Sequence, residues 1–107
     1  MIIATFTKQP WEEKDYDIDY SSWLADVSDT VSLVSTSIVC VSGTDSAPNT
    51  LTVTSTQIDG TGTRVKLWVT KGVTGCKYKI TVQMTTAGSS GRTRKDEVEL
   101  VFNVKDT

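Results

Sequence analysis

The sequence predicts an all-β protein, an antiparallel β-sandwich of about seven strands, and three observations support that prediction. Threonine and serine supply 18 and 11 of the 107 residues, and the branched Cβ of threonine suits the pleated surface of a sheet. Apolar and polar residues alternate with period two in several segments, which is the pattern of half-buried strands. Turn signals recur about every 8 to 12 residues, as in a sandwich rather than a βαβ fold.

The length of 107 residues indicates one domain with its own hydrophobic core. We predict an extended N-terminal arm over residues 1–14, which could include a short strand at residues 2–6, and a β-sandwich domain over residues 15–107. The start of the chain lacks the features of a secretory signal, and no window approaches the ~20 apolar residues of a membrane helix. We therefore expect the chain to fold in the cytoplasm, with no membrane partner.

Residues 15–20 form the first strand of the predicted domain because they alternate cleanly. One face carries Tyr16, Ile18 and Tyr20, and the other carries Asp15, Asp17 and Asp19. After this strand, Ser21 could cap a short helix with Trp23 and Leu24 packed beneath it. The segment is too short for more than one helical turn.

The remaining strands follow from the same alternation. The run over residues 30–41 changes parity, which predicts either a bulge near residues 35–37 or two short strands. Two more strands are predicted at residues 51–58 and 64–70, before a final hairpin between residues 75 and 102. By parity, one face of that hairpin carries Tyr78, Ile80, Val82 and Met84 on its first strand, and Val98, Leu100 and Phe102 on its second.

Gly75 and Tyr78 indicate the type of sandwich. They follow a turn and open the penultimate strand, a position that resembles the tyrosine corner of immunoglobulin and fibronectin type III domains. There the tyrosine hydroxyl bonds to the backbone of the preceding loop and satisfies a group that burial would leave without a partner. We therefore assign Gly75 and Tyr78 to a structural corner and predict an immunoglobulin/fibronectin III-like fold.

The residue types argue against catalysis and against a bound cofactor. The chain has no histidine, which removes the usual general base, the Ser-His-Asp triad and most zinc sites. Cys40 and Cys76 are too few for a Cys₄ site and lie in no CxxC motif, so we expect two free thiols. No phosphate-binding glycine motif is present. We predict no enzyme, no catalytic residue and no cofactor.

The Asp15-x-Asp17-x-Asp19 spacing invites comparison with a calcium loop. Such a loop needs glycine at its sixth position and glutamate at its twelfth, where this chain has Tyr20 and Asp26. Alternation on a solvent-facing strand explains the same aspartates, so we predict no metal site. The pI of 4.9 also argues against a nucleic-acid partner.

Short motifs in a fixed order span residues 8–104. They are Lys8-Gln-Pro10, Asp15-Tyr-Asp-Ile-Asp-Tyr-Ser-Ser-Trp-Leu24, Asp29-Thr30, Leu51-Thr-Val53, Val65-Lys-Leu-Trp-Val69, Gly75 to Tyr78, and Thr85-Thr-Ala-Gly-Ser-Ser-Gly-Arg92. Together they resemble a family of small bacteriophage tail-associated proteins of the fibre–tail adaptor type. The motif residues that carry this resemblance are Asp15, Tyr16, Ile18, Asp19, Trp23, Leu24, Gly91 and Arg92.

The resemblance implies an immunoglobulin-like fold and a non-enzymatic structural protein of the virion tail, made and folded in the host cytoplasm. It implies other tail or fibre proteins as partners and a homo-oligomer in the assembled virion. The alternative is a glycan-binding or adhesion module at the virion surface. The loops at residues 42–50 and 87–94 contain no aromatic residue, which counts against that alternative.

Charge is unevenly distributed along the chain, whose net charge is −2. Residues 1–30 hold seven acidic and two basic residues, whereas residues 60–95 hold eight basic and no acidic residues. The two segments could neutralise each other within one fold, or the acidic one could contact the basic surface of a neighbour in a head-to-tail assembly. The candidate interface residues are Glu12, Glu13 and Asp17 on the acidic side and Lys77, Lys79, Arg92 and Arg94 on the basic side.

Overall fold

The computed structural model describes residues 1–45, 50–89 and 91–106 of the chain. These residues contain seven strands and one short helix. In chain order they are β1 (Ile2–Lys8), β2 (Lys14–Asp19), α1 (Ser21–Val27), β3 (Val31–Ser42), β4 (Thr52–Ile58), β5 (Arg64–Thr70), β6 (Lys77–Thr86) and β7 (Lys95–Val104). The predicted all-β class is confirmed. Residues 46–49 of the predicted loop at 42–50, and Ser90 of the final turn, lie outside the described residues.

The strands form two sheets, with the order β1-β7-β6-β3 in the larger and β2-β5-β4 in the smaller. If β2 to β7 are lettered B to G, these orders contain the C-F-G and B-E-D sets of an immunoglobulin constant domain. The sandwich prediction is confirmed, with one departure from a purely antiparallel arrangement. Strand β1 pairs in parallel with β7, with Ala4 opposite Leu100 and Lys8 opposite Val104.

Strand β1 lies within the predicted arm of residues 1–14, and it joins the larger sheet because one of its faces is apolar. Phe6 packs against Phe102 of β7 and Tyr16 of β2, with ring centroids 5.2 and 4.6 Å apart. The Tyr16 and Phe102 rings meet edge to face, with their centroids 4.9 Å apart. These three rings connect the two sheets. The boundary at residue 14 stays a prediction.

The core lies between the sheets, on the faces that the alternation predicted for β2, β5, β6 and β7. The side chains at its centre are fully buried: Val65, Leu67 and Val69 of β5, Tyr78, Ile80, Val82 and Met84 of β6, and Leu100 and Phe102 of β7. Burial of alternate apolar residues from both sheets provides the main stabilisation of such a sandwich.

Strand β3 differs from the prediction. It is a single strand of 12 residues, and its register against β6 is regular through residues 35–37, where a bulge or a break had been expected. The register shifts lie instead between Val31 and Leu33 and between Cys40 and Ser42. The early shift turns Leu33 outward, where 66% of it is exposed. The prediction was wrong because Val31 and Leu33 share a parity in sequence but not in the sheet.

Helix α1 is seven residues long, longer than the single turn predicted. Ser21 does not cap it; Tyr20 occupies the N-cap position without a side-chain bond, and the Ser21 amide donates to Asp19 Oδ1 at 2.8 Å. Leu24 is buried as expected, whereas Trp23 remains 36% exposed beside Tyr20. In the described ranges, no helix is both long and apolar enough to cross a membrane.

Candidate interaction surfaces

One end of the sandwich brings together sequence motifs that lie far apart in the chain. The Tyr20 amide donates to Thr63 O at 2.8 Å, the Val31 amide to Gly62 O at 2.8 Å, and the Ala87 amide to Thr30 O at 2.9 Å. These bonds join the start of α1, the start of β3 and the turns that follow β4 and β6. We call this region the helix end of the sandwich.

Asp29 fastens the β6–β7 turn to the helix end. Its Oδ1 accepts hydrogen bonds from the amides of Thr30 at 2.8 Å and Ser89 at 3.1 Å, and its Oδ2 accepts one from the Gly88 amide at 3.1 Å. Burial opposes ionisation of this carboxyl, but the amides of Thr30 and Ser89 and the hydroxyls of Thr86 and Ser89 lower its pKa to about 2. The motif at Asp29-Thr30 therefore positions the motif at Thr85–Arg92.

The turn that Asp29 fastens carries the motif residues Gly91 and Arg92. Gly91 has a φ of +100° and its amide donates to Gly88 O at 2.9 Å, so the turn requires a residue without a Cβ at this position. The next residue, Arg92, is exposed. The tight turn thus presents the Arg92 guanidinium to solvent at the helix end.

The three aspartates of β2 lie on the outer face of the smaller sheet, and two of them are paired within the chain. Asp15 pairs with Lys66 at 3.3 Å and Asp19 with Arg64 at 3.6 Å, because β2 and β5 are antiparallel neighbours. Hydrogen bonds from the Ser21 side chain and backbone lower the pKa of Asp19. Strand β2 therefore places its acidic residues against basic residues of β5, which neutralises part of the charge segregation within the fold.

The candidate interface residues lie on different parts of the surface. On the acidic side, Glu12 pairs with Lys14, Glu13 accepts a hydrogen bond from the Thr54 hydroxyl, and Asp17 is exposed beside the paired aspartates. On the basic side, Lys77 is exposed and Lys79 pairs with Glu99 at 2.9 Å, both on the outer face of the larger sheet. Asp17 and the two lysines thus lie on the outer faces of different sheets, whereas Arg92 lies in the β6–β7 turn at the helix end.

Arg94, the last of the candidate interface residues, is half-buried next to the turn that carries Arg92. Its amide donates to the Thr86 hydroxyl at 2.8 Å, and Thr86 is itself buried. The backbone of Arg94 is therefore fixed to the end of β6.

Tyr78 lies at the corner between β5 and β6. Its ring is fully buried, and its hydroxyl accepts a hydrogen bond of 3.0 Å from the Val73 amide in the preceding loop. Gly75, with a φ of +87°, donates its amide to Val104 O at 2.9 Å. Burial raises the pKa of Tyr78 to about 12. This is the contact that the corner hypothesis requires, and it satisfies a loop amide near the core.

Replacing Tyr78 with phenylalanine tests the value of that contact. We expect Tyr78→Phe to lower the free energy of unfolding by about 1–3 kcal/mol, because the Val73 amide loses its acceptor while the ring stays in place. Tyr16→Phe is the matched control, since it removes the hydroxyl of a half-buried ring, and its effect should stay within about 0.5 kcal/mol. Urea unfolding of both variants measures the difference; equal effects would contradict this role for Tyr78.

Sequence reasoning missed the burial of Lys8. Only 1% of this residue is exposed, and its ammonium donates to the carbonyls of Gln9 and Pro10, at 2.8 and 3.4 Å, and to that of Lys71. Burial lowers its pKa, against the attraction of Glu12 and Glu13. Lys71 has a φ of +65°. The parity of β1, in which Ala4, Phe6 and Lys8 alternate with exposed residues, is the signal that could have revealed it.

The described residues contain no group of three or more His, Cys, Asp or Glu side chains suited to a metal ion. Both cysteines are free thiols. Cys76 is buried with its sulfur 3.2 Å from Thr44 O, and the half-buried Cys40 has its sulfur 3.2 Å from Ser42 O. Burial raises the pKa of Cys40, so this thiol is poorly suited to act as a nucleophile.

Comparison with known protein families places these motifs in one group. A search of curated proteins found no match. A family model does match: it is described as "Podophage GP4 fiber-tail adaptor protein gp77", and it covers residues 8–101. The matched region begins at the buried Lys8 and includes the Asp29 contacts, the Tyr78 corner and the Arg92 turn. The chain therefore belongs to the podophage GP4 fiber-tail adaptor protein gp77 family, as the resemblance of its motifs indicated.

Proposed function

We propose that this chain is a non-enzymatic structural adaptor of the phage virion tail, which acts through protein–protein contacts with other tail or fibre proteins. The family match over residues 8–101 carries the proposal. Exposed charged side chains support it, because Asp17 and Lys77 lie on the outer faces of the two sheets and Arg92 lies in a turn, where another protein can reach them. The chain folds in the host cytoplasm before it enters the virion, where several copies assemble.

The contact that we propose joins the acidic candidate residues of one copy of this chain to the basic candidate residues of a neighbouring copy in the assembled tail. Asp17 and Glu13 are exposed on the side of the smaller sheet, and Lys77 is exposed on the outer face of the larger sheet. Exposed groups of opposite charge on two different faces suit a head-to-tail contact, in which complementary charge sets the register and speeds encounter. Lys79, Arg92 and Arg94 extend the basic side, and Glu12 extends the acidic side.

Co-sedimentation with assembled phage tails that lack this chain tests both parts of the proposal. We expect the wild-type chain to sediment with the tails. The charge-reversed double variant Lys77→Glu/Arg92→Glu should bind several-fold more weakly, with the larger loss at low salt because exposed charges are screened at high salt. Lys105→Glu, which changes an exposed lysine outside both candidate sets, should bind as the wild type does.

Each contrary outcome points to a different error. Full binding by the double variant would contradict the charged contact but leave the adaptor role in place. Failure of the wild-type chain to sediment with tails would contradict the adaptor role itself. Selective binding of the chain to a glycan array would favour the alternative of an adhesion module.

A further inference from the structure

Strand β3 is an edge strand with apolar side chains in solvent. It pairs with β6 on one side, and in the described residues no strand is hydrogen-bonded to its other side. Leu33, Val39 and Val41 on its outer face are 66, 49 and 48% exposed. On its inner face, Val34 and Ile38 are only half-buried against the core. A neighbouring strand would cover apolar groups on both faces of β3.

The edge of β3 carries none of the side chains that normally protect such an edge. Proteins prevent edge-to-edge association with charged residues, with proline or with bulges in the edge strand. The chain has 11 basic and 13 acidic residues, yet none falls between residues 30 and 44, and neither proline does. The two register shifts lie near the ends of β3 and leave residues 33–40 in regular register. Depletion of charge is also what distinguishes the centre of a protein–protein interface.

The sequence of β3 reads alike in both directions from Thr36 when side chains are grouped by chemistry. Residues at equal distances from Thr36 match: Ser35 with Ser37, Val34 with Ile38, and Leu33 with Val39. In sequence the symmetry continues to Val31 and Val41, but the register shifts confine it in the sheet to residues 33–39. When two identical strands pair in antiparallel fashion about a two-fold axis, residues at equal distances from that axis lie opposite each other. Such a symmetric sequence is therefore complementary to itself.

We propose that two copies of this chain pair through their β3 strands, antiparallel, about a two-fold axis at Thr36. In this register Leu33 faces Val39 of the second copy on the outer face, and Val34 faces Ile38 of the second copy on the inner face. The hydroxyls of Ser35 and Ser37 face each other near the axis. Apolar pairs and hydroxyl pairs opposite one another are the cross-strand combinations that stabilise sheets.

The pairing produces one continuous sheet across the dimer, in the order β1-β7-β6-β3 followed by β3-β6-β7-β1 of the second copy. The axis is perpendicular to this sheet, so both smaller sheets lie on the same side of it. Their edge strands β4 then face each other across the axis. Strand β4 contains no charged residue, so this approach places no like charges together.

The other edge strands do not offer the same complementarity. Strand β2 carries three aspartates, which would repel a second copy. Strand β4 is seven residues long and has a register shift between Val53 and Ser55, and about its centre Val53 would face Gln57. Strand β1 would place Ile2 opposite Lys8. The self-complementary pattern belongs to β3 alone among these edges, and this selects a second copy as its partner.

Charge substitutions at Ser35 and Ser37 test both the pairing and its register. Both side chains are exposed, and each should face the other across the axis. Ser35→Lys/Ser37→Lys places ammonium groups opposite ammonium groups, whereas Ser35→Lys/Ser37→Glu places an ammonium group opposite a carboxylate at the same two positions. Thr5→Lys/Thr7→Lys, at two exposed positions of β1 on the far edge of the same sheet, is the matched control. Circular dichroism of each variant checks that it is folded.

Sedimentation equilibrium of the full chain over a concentration series reads out the result. We expect a mass of twice 11.7 kDa for the wild type and for the β1 control. The mass should halve for Ser35→Lys/Ser37→Lys and be restored for Ser35→Lys/Ser37→Glu, with a salt dependence that the wild type lacks.

A wild-type chain that stays monomeric over the series would overturn the proposal. Equal behaviour of the two Ser35/Ser37 variants, whether both dimeric or both monomeric, would overturn the two-fold register at Thr36. Association beyond the dimer through β3 would overturn the closed symmetry. This inference is independent of the proposed adaptor function, because the experiment uses the purified chain without tails, whereas the adaptor role is read from tail binding.

Discussion

Replacing Phe102 with alanine should lower the free energy of unfolding by about 3–5 kcal/mol, the loss typical of a buried aromatic truncated to alanine. Phe102 is fully buried, and its ring contacts those of Phe6 and Tyr16 at centroid distances of 5.2 and 4.9 Å. These rings come from β7, β1 and β2, so truncation at Phe102 weakens the packing of both sheets and the attachment of the N-terminal strand. A loss of this size is a large share of the stability of a domain of this length.

Urea unfolding measured by circular dichroism gives this loss directly. Thr5→Ala is a control on β1, since Thr5 is exposed, and it should change the free energy of unfolding by no more than about 0.5 kcal/mol. The loss in free energy of unfolding for Phe102→Leu should lie between those for Thr5→Ala and Phe102→Ala, because leucine leaves a smaller cavity than alanine. If Phe102→Ala were no more destabilising than Thr5→Ala, the aromatic contact between the sheets would be contradicted.

The second large effect is expected at Asp29, and it depends on pH. In Asp29→Asn, one side-chain oxygen can still accept from the Thr30 and Ser89 amides, but the amide nitrogen would face the Gly88 amide, which is also a donor. The variant should therefore be less stable than the wild type at neutral pH, with the β6–β7 turn released from the helix end. Hydrogen exchange of the Gly88 and Ser89 amides should become faster.

The pH dependence follows from the direction of the pKa shift. The pKa of Asp29 is about 2 in the folded chain, against an ordinary value of 3.8. The stabilisation by the ionised carboxyl is therefore fully present above pH 3.8 and is lost as the pH falls through about 2. The difference in the free energy of unfolding between the wild type and Asp29→Asn should be constant above pH 3.8 and should shrink as the pH falls towards about 2. Asp26→Asn is the control, because Asp26 is an exposed residue of α1. A stability difference between the wild type and Asp29→Asn that did not change with pH would contradict this role of Asp29.

Most of the sandwich could be predicted from the sequence, because a strand that is buried on one face has apolar residues at alternate positions. This held for β5, where Val65, Leu67 and Val69 are fully buried, and for both strands of the final hairpin. The position of Tyr78 after a glycine turn likewise indicated the topology, because a buried hydroxyl near a corner needs a backbone partner.

Features that depend on contacts between distant segments were not accessible from the pattern. Parity alone does not reveal which neighbour an N-terminal strand takes, so the parallel pairing of β1 with β7 was not predicted. Nor does parity locate a register shift, and Leu33 was therefore grouped with Val31 although it points into solvent. The burial of Lys8 was not predicted because lysine is rarely buried, and the surrounding carbonyls explain its position.

The motif residues of the candidate surfaces were also predicted in part only. Asp29 and Arg92 were recognised from their order in the chain, but the hydrogen bonds that fasten the Arg92 turn to Asp29 follow only from the folded arrangement. The charge segregation was read in two ways from sequence. The ion pairs of Asp15 with Lys66 and Asp19 with Arg64 support neutralisation within the fold for those groups. Asp17, Lys77 and Arg92 are exposed.

The adaptor role is tested most directly by asking whether this chain links fibres to tails. Phage tails assembled without the chain are mixed with purified fibres, in the presence or absence of the wild-type chain, and the fibres that sediment with the tails are measured. Fibres should be retained when the chain is bound first and lost when it is omitted. Equal retention of fibres with and without the chain would contradict the adaptor role.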